Sequence, residues 1–179
     1  MSNNTFASIW DAALATLGAF IDYQSELPKV DFLEFLVKEK QLLLHGSNWD
    51  VSALEPRLAN CASKKFGNLN AVYAVEDAVL PIFYAIKDKN SFSGVAVSGT
   101  HQDGDAPKEY IFKVEQRMLD IQPWSPGVVY ILDRKGCEQG TDDNRLLIDE
   151  YISRTSVIPL AKLAVNPQDF PYLNAIDSL

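Results

Sequence analysis

Cysteine and histidine are scarce in this chain of 179 residues. Its two cysteines, Cys61 and Cys137, lie far apart without a Cys-x-x-Cys partner, which leaves a disulfide framework and a thiolate zinc site short of ligands and predicts two reduced thiols. With only two histidines, His45 and His101, and no Gly-x-Ser-x-Gly turn, serine-hydrolase chemistry lacks its elbow and has few bases to choose from. Glycine-rich phosphate loops are absent. Cations are outnumbered: 16 Lys and Arg against 24 Asp and Glu give a formal net charge of −8. That field repels phosphate backbones, so extended nucleic-acid binding would need a local basic patch. Lys64-Lys65 and Arg134-Lys135 hint at one, reading either as contacts to a pyrophosphate or nucleic-acid end, or as solvated loop charge. The longest uncharged apolar stretch, Ala12 to Ile21, falls short of the roughly 20 residues of a membrane span. The opening Met-Ser-Asn-Asn-Thr lacks the basic start of a secretory signal. A soluble cytoplasmic protein without membrane contact is expected.

What is present is a globular composition, 47% hydrophobic, enough for one core. Phe6, Ile9, Trp10, Ala13, Leu17, Phe20 and Ile21 recur at intervals of three and four and predict a helix from about Thr5 to Tyr23. Pro28, Phe32, Phe35, Leu36 and the Lys38-Glu39-Lys40 end predict a second, so residues 1–40 read as a helical preface to a domain spanning 41–179. From Gln41 short apolar runs take over: Leu42–His45, Ala71–Val75, Gly94–Ser98, Tyr110–Val114, Gly127–Leu132 and a last pair around Tyr151 and Val157–Val165. One helix, capped by Asp77 and running through Ile86 with Ile82, Phe83 and Ile86 inward, interrupts them. That order predicts an α+β fold with a largely antiparallel sheet. The tail 166–179 is expected to be irregular, with Phe170, Tyr172 and Leu173 covering core edges.

Polar groups cluster where Leu42-Leu43-Leu44 runs into His45-Gly46-Ser47. Glycine lets the backbone approach a planar ligand closely, and imidazole and hydroxyl supply directional hydrogen bonds at the lip of an apolar slot. A histidine beside a strand also serves simply as a structural residue. Leu-Leu-His-Gly-Ser resembles the opening motif of the ADP-ribosyltransferases that carry a His-Tyr-Glu triad. The resemblance implies a split antiparallel sheet and NAD as co-substrate, with His45 on the adenosine-side ribose and Gly46 and Ser47 at the nicotinamide carboxamide. Ala71-Val72-Tyr73-Ala74-Val75-Glu76-Asp77 is similar to that family's strand-then-helix unit, which implies that Tyr73 stacks on nicotinamide. A tyrosine face suits that cationic ring, with a cation–π contribution of about 0.5–2 kcal/mol. Asp149-Glu150-Tyr151-Ile152-Ser153 resembles the late strand that carries the catalytic glutamate, which implies that Glu150 stabilises positive charge on the ribose as the glycosidic bond breaks.

A related rifamycin-modifying group places its acid in a loop that corresponds to Asp133–Asp143, so Asp142 ranks second to Glu150 and Glu138 third, with Asp143 beside them. The acceptor is open: a protein side chain, a nucleic-acid end, a small molecule, or water. RNA 2′-phosphotransfer is a related variant, against which the acidic composition and the missing arginine-rich pattern count. Two rivals stand beside transfer: a non-catalytic nucleotide-binding or interaction module on the same fold, and an unrelated α+β domain whose His-Gly-Ser is coincidence. His101-Gln102-Asp103-Gly104-Asp105 places oxygen and imidazole donors at alternate positions but lacks the twelfth-position acid of a calcium loop, so it reads as a solvated turn. No metal is expected.

Overall fold

The computed structural model describes residues 2–58, 69–101, 106–141 and 147–179. Among these residues two sheets and four α-helices make up an α+β fold in which nearly all strand pairs are antiparallel. The larger sheet has seven strands: β1 (Leu43–Ser47), β2 (Arg57–Leu58), β3 (Asn70–Val75), β6 (Gly127–Leu132), β7 (Glu138–Thr141), β8 (Leu147–Ser153) and β9 (Ala161–Val165). Their order is β7-β8-β3-β1-β6-β9, with β2 paired to β3. The smaller sheet runs β10 (Asp177–Ser178), β5 (Glu109–Val114), β4 (Ala96–His101).

Side chains alternate across the larger sheet, and both faces are covered. Leu44, Val129, Ile131 and Leu163 pack on one face against α1 (Ser2–Ala13), α2 (Lys29–Lys40) and α3 (Leu80–Ile86) together with Phe112 and Val114 of β5. Leu43, Val72, Ala74, Val128, Tyr130, Leu132 and Tyr151 form a second cluster on the other face, closed by Leu54. The central strand β6 is buried along its whole length, which explains its uninterrupted apolar sequence. In α2, Asp31 in the first turn and Lys38 and Lys40 in the last complement the helix dipole while Phe32, Leu33, Phe35 and Leu36 face the core.

The first expected helix is shorter than its periodicity implied. It ends at Ala13; Gly18 adopts a left-handed φ of +74°, and the chain then runs extended beside β9. Ile21 N–H donates to Lys162 O at 2.7 Å and Lys162 N–H donates to Ala19 O at 2.9 Å. The apolar residues 17–21 thus continue the stripe in sequence while serving an extended strip, where Ile21 is buried and Leu17 and Phe20 are exposed. The expected 94–98 strand lies instead at Ala96–His101, and only Ala161–Val165 of the 157–165 run is a strand. The helix α4 (Gln116–Ile121) and the short strands β2, β7 and β10 lacked a sequence signal strong enough to predict. The tail contains two 3-10 turns, and Phe170 is core rather than edge: its ring lies 4.9 Å from Phe112 and 5.6 Å from Phe83.

Asp77 caps α3 as expected, accepting from Val79 N–H and Leu80 N–H at 2.8 Å each, and also accepts from Tyr110 Oη and Lys108 Nζ. Asp77→Ala removes one acceptor from four donors at a buried site. It is expected to destabilise the fold by about 2–3 kcal/mol, measured by urea unfolding. Among the described residues, no helix is long and apolar enough to cross a membrane.

Candidate functional site

Strands β1 and β6 pair over five residues, Leu43↔Leu132 to Ser47↔Val128, whereas β1 meets β3 at Leu44↔Val75. Past Leu44 the two strands diverge, and a cleft opens between them. His45 lies on the strand as expected, and β1 runs two residues further, through Gly46 and Ser47. The cleft has two lobes. One, a cavity of about 520 Å³, is lined by His45, Gly46, Tyr73, Tyr84, Lys87 and Glu150 among others. The other, about 390 Å³, shares all of these except Glu150 and adds Ser47, Trp49, Arg57 and Lys89.

His45 spans the divergence, with Nδ1 2.7 Å from Tyr73 O. A carbonyl only accepts, so Nδ1 carries the proton. Burial, its largest cause, holds the imidazole pKa below the usual histidine value, and Lys89 and Arg57 add to the shift. The ring is then neutral, with an acceptor lone pair on Nε2. Tyr73 commits its hydroxyl to the backbone of Leu69, accepting from N–H at 2.8 Å and donating to O at 3.2 Å, so what it presents to the cleft is ring. Ser47 is buried, and its Oγ accepts from Trp49 N–H at 3.2 Å.

Gly46 is required by packing. A Cβ built there lies 1.8 Å from Pro81 O, and one built on Gly127 of the neighbouring β6 lies 2.0 Å from Ala85 O. Both glycines seat α3 directly on the sheet, one turn of helix apart. That contact sets the height of Tyr84, the exposed residue between buried Phe83 and Ala85.

Glu150, on β8 opposite Val75, reaches the far end of the larger lobe half-buried. Among the described residues it has no cationic partner, and burial raises its carboxyl pKa above the ordinary value. Of the other acids, Glu138 is exposed, pairs with Arg154 at 3.4 Å and lines neither lobe. Asp142 and Asp143 lie outside the described residues, as do Cys61, Lys64-Lys65 and positions 102–105. Cys137 is a free thiol, half-buried. No family model, curated protein or solved structure matches this chain. Its site is thus read from its own geometry.

Two features of the cleft carry no clear signal in the sequence. Tyr84 lines both lobes and shares a hydrogen bond of 2.8 Å between its Oη and Ser98 Oγ. Its signal was a polar-tipped aromatic on an otherwise apolar helix, which periodicity alone does not separate from core. The other is Lys87, whose ammonium lies 4.6 Å from the Tyr84 ring centroid, 5.2 Å from Phe83 and 5.4 Å from Phe92. Burial, with repulsion from Lys89 second, lowers its pKa to about 8. The charged form is therefore penalised in the folded state. The penalty is complete below pH 8 and fades as pH rises toward the ordinary lysine value of 10.5, where the unfolded chain is also losing its proton. Lys87→Met is expected to raise the melting temperature at pH 7, and the gain should shrink by pH 10 in thermal scans.

Proposed function

We propose that the protein cleaves the nicotinamide–ribose bond of NAD and transfers ADP-ribose to an acceptor, on an ADP-ribosyltransferase-like fold. One observation carries this reading. His45, Tyr73 and Glu150, from three different strands and separated by 28 and 77 residues in sequence, line a single cavity, and among the described residues the carboxylate has no cationic partner.

Each group suits a part of the reaction. The faces of Tyr73 and Tyr84 offer the cationic nicotinamide ring aromatic surface. His45 Nε2, without a hydrogen-bond partner among the described residues, accepts from a ribose hydroxyl. The C1′–N bond breaks with its electron pair passing to the nicotinamide nitrogen, which leaves as neutral nicotinamide. Glu150, desolvated and without a competing cation among the described residues, opposes the positive charge that develops on the ribose. The acceptor's oxygen or nitrogen then bonds to C1′ and gives up its proton; with water the products are ADP-ribose, nicotinamide and a proton.

Nicotinamide release from NAD by the purified protein, with protein, nucleic-acid and small-molecule acceptors and with none, tests this. Tyr73→Ala should raise KM for NAD and lower kcat. Binding of NAD without any release would make the chain a nucleotide-binding module instead. Neither binding nor release would overturn both readings.

A further inference from the structure

The sequence offered Lys64-Lys65 and Arg134-Lys135 as contacts for a pyrophosphate. Arg134 does not serve: it pairs with Glu76, donates to Tyr151 Oη at 3.1 Å, and lines neither lobe of the cleft. A different set of cations gathers in the smaller lobe. Arg57 lies 5.4 Å from the Trp49 ring centroid and Lys89 Nζ 4.6 Å from it, while Lys89 Nζ is also 3.5 Å from Ser47 Oγ. Lys87, ringed by three aromatics, reaches the same lobe.

None of these three cations pairs with a carboxylate among the described residues. The acid lining the lobe, Glu55, is engaged by Ser156, whose Oγ donates to it at 2.9 Å. Burial is the larger cause that lowers the pKa of both lysines, and the cations add to it by acting on one another, Arg57 on Lys89 and Lys89 on Lys87. In a chain of net charge −8 this is a local, uncompensated positive field, and a multiply charged anion is what relieves it. Trp49, 46% exposed, has its backbone held by Tyr130, whose Oη donates to Trp49 O at 2.6 Å and accepts from Val51 N–H at 2.9 Å, and its indole, with Arg57 and Lys89 over the ring, adds a flat aromatic surface to the charge. Three cations and one indole match a single nucleotide, whereas the acidic remainder disfavours a longer polymer.

We propose that Arg57, Lys87 and Lys89, with the Trp49 ring, form a seat for a nucleoside diphosphate, the phosphates on the cations and the base on the indole. This rests on the NAD reading for the whole ligand but not for the seat, since ADP alone would occupy it. The phosphates would then lie in the smaller lobe and the nicotinamide in the larger one beside Glu150.

Isothermal calorimetry with ADP, adenosine and inorganic diphosphate tests it on the wild type, Arg57→Ala/Lys89→Ala and Lys87→Met. ADP is expected to bind at least tenfold more tightly than adenosine or diphosphate, and each variant to lose about tenfold for ADP while keeping a cooperative thermal transition. ADP affinities within twofold across the three proteins, or adenosine binding as tightly as ADP, would overturn the seat. Diphosphate binding as tightly as ADP would overturn the role of Trp49. If the variants keep ADP while the wild type releases nicotinamide from NAD, the seat is wrong and the transferase stands. If ADP binding collapses in the variants and no nicotinamide is ever released, the seat stands and the transferase falls.

Discussion

Glu150→Gln is expected to lower nicotinamide release by about 10²–10³-fold, the typical effect of removing one group that stabilises transition-state charge. NAD affinity should change by no more than a few-fold, because the ground state carries no cation at the ribose carbon. In the wild type, release should rise with pH through a midpoint above the ordinary carboxylate value, since burial raises the Glu150 pKa and the ionised form does the work. Stability should move the other way. A carboxylate whose pKa is raised by folding penalises the native state once it ionises, so the cost is absent below the ordinary glutamate pKa and complete above the elevated one. The variant should therefore melt higher than wild type at pH 7 and match it at pH 3. A variant that loses stability at neutral pH along with activity would mark Glu150 as a structural residue.

Gly46→Ala is the second large effect. The new methyl would sit 1.8 Å from Pro81 O, 2.7 Å from Pro81 C and 3.0 Å from Ala85 N, all backbone, so no side chain can swing aside to admit it. Overpacking costs typically about 1–3 kcal/mol, and a collision with helix backbone belongs at the top of that range or above it. For a chain of this length about 3 kcal/mol lowers Tm by roughly 6–12 °C. Nicotinamide release should fall as well, because α3 must lift and takes Tyr84 and Lys87 with it. Gly99→Ala is the control: an added Cβ there meets nothing within 4 Å, and its stability should stay within about 0.5 kcal/mol of wild type. Equal losses in both variants would remove the argument from packing.

The strand pattern, the α3 cap at Asp77 and the antiparallel sheet were legible because each rests on local chemistry: alternation, a carboxylate before a helix, short runs broken by turns. The extent of the first helix was not. Phe20 and Ile21 fit a helical stripe by spacing, and only the backbone groups of β9, more than 130 residues away, make an extended strip the better partner. Within the site, the His45, Tyr73 and Glu150 positions came from motif resemblance, while Tyr84, Lys87 and the Arg57–Trp49–Lys89 group are assembled by tertiary contacts. Gly46 was noticed for its backbone access; the demand on it from α3 could not be read without the helix in place.

The strip at 18–21 has a bearing on association that is separate from the cleft. β9 is the last strand on its side of the larger sheet, and an uncovered strand of that kind offers a row of unpaired amides and carbonyls to any similar chain. Gly18 N–H on Leu160 O, Ile21 N–H on Lys162 O and Lys162 N–H on Ala19 O occupy that row. The N-terminal segment thereby acts as a selvage for the sheet. A chain trimmed past Tyr23 would present β9 to its neighbours, and its first symptom would be association through that bare edge.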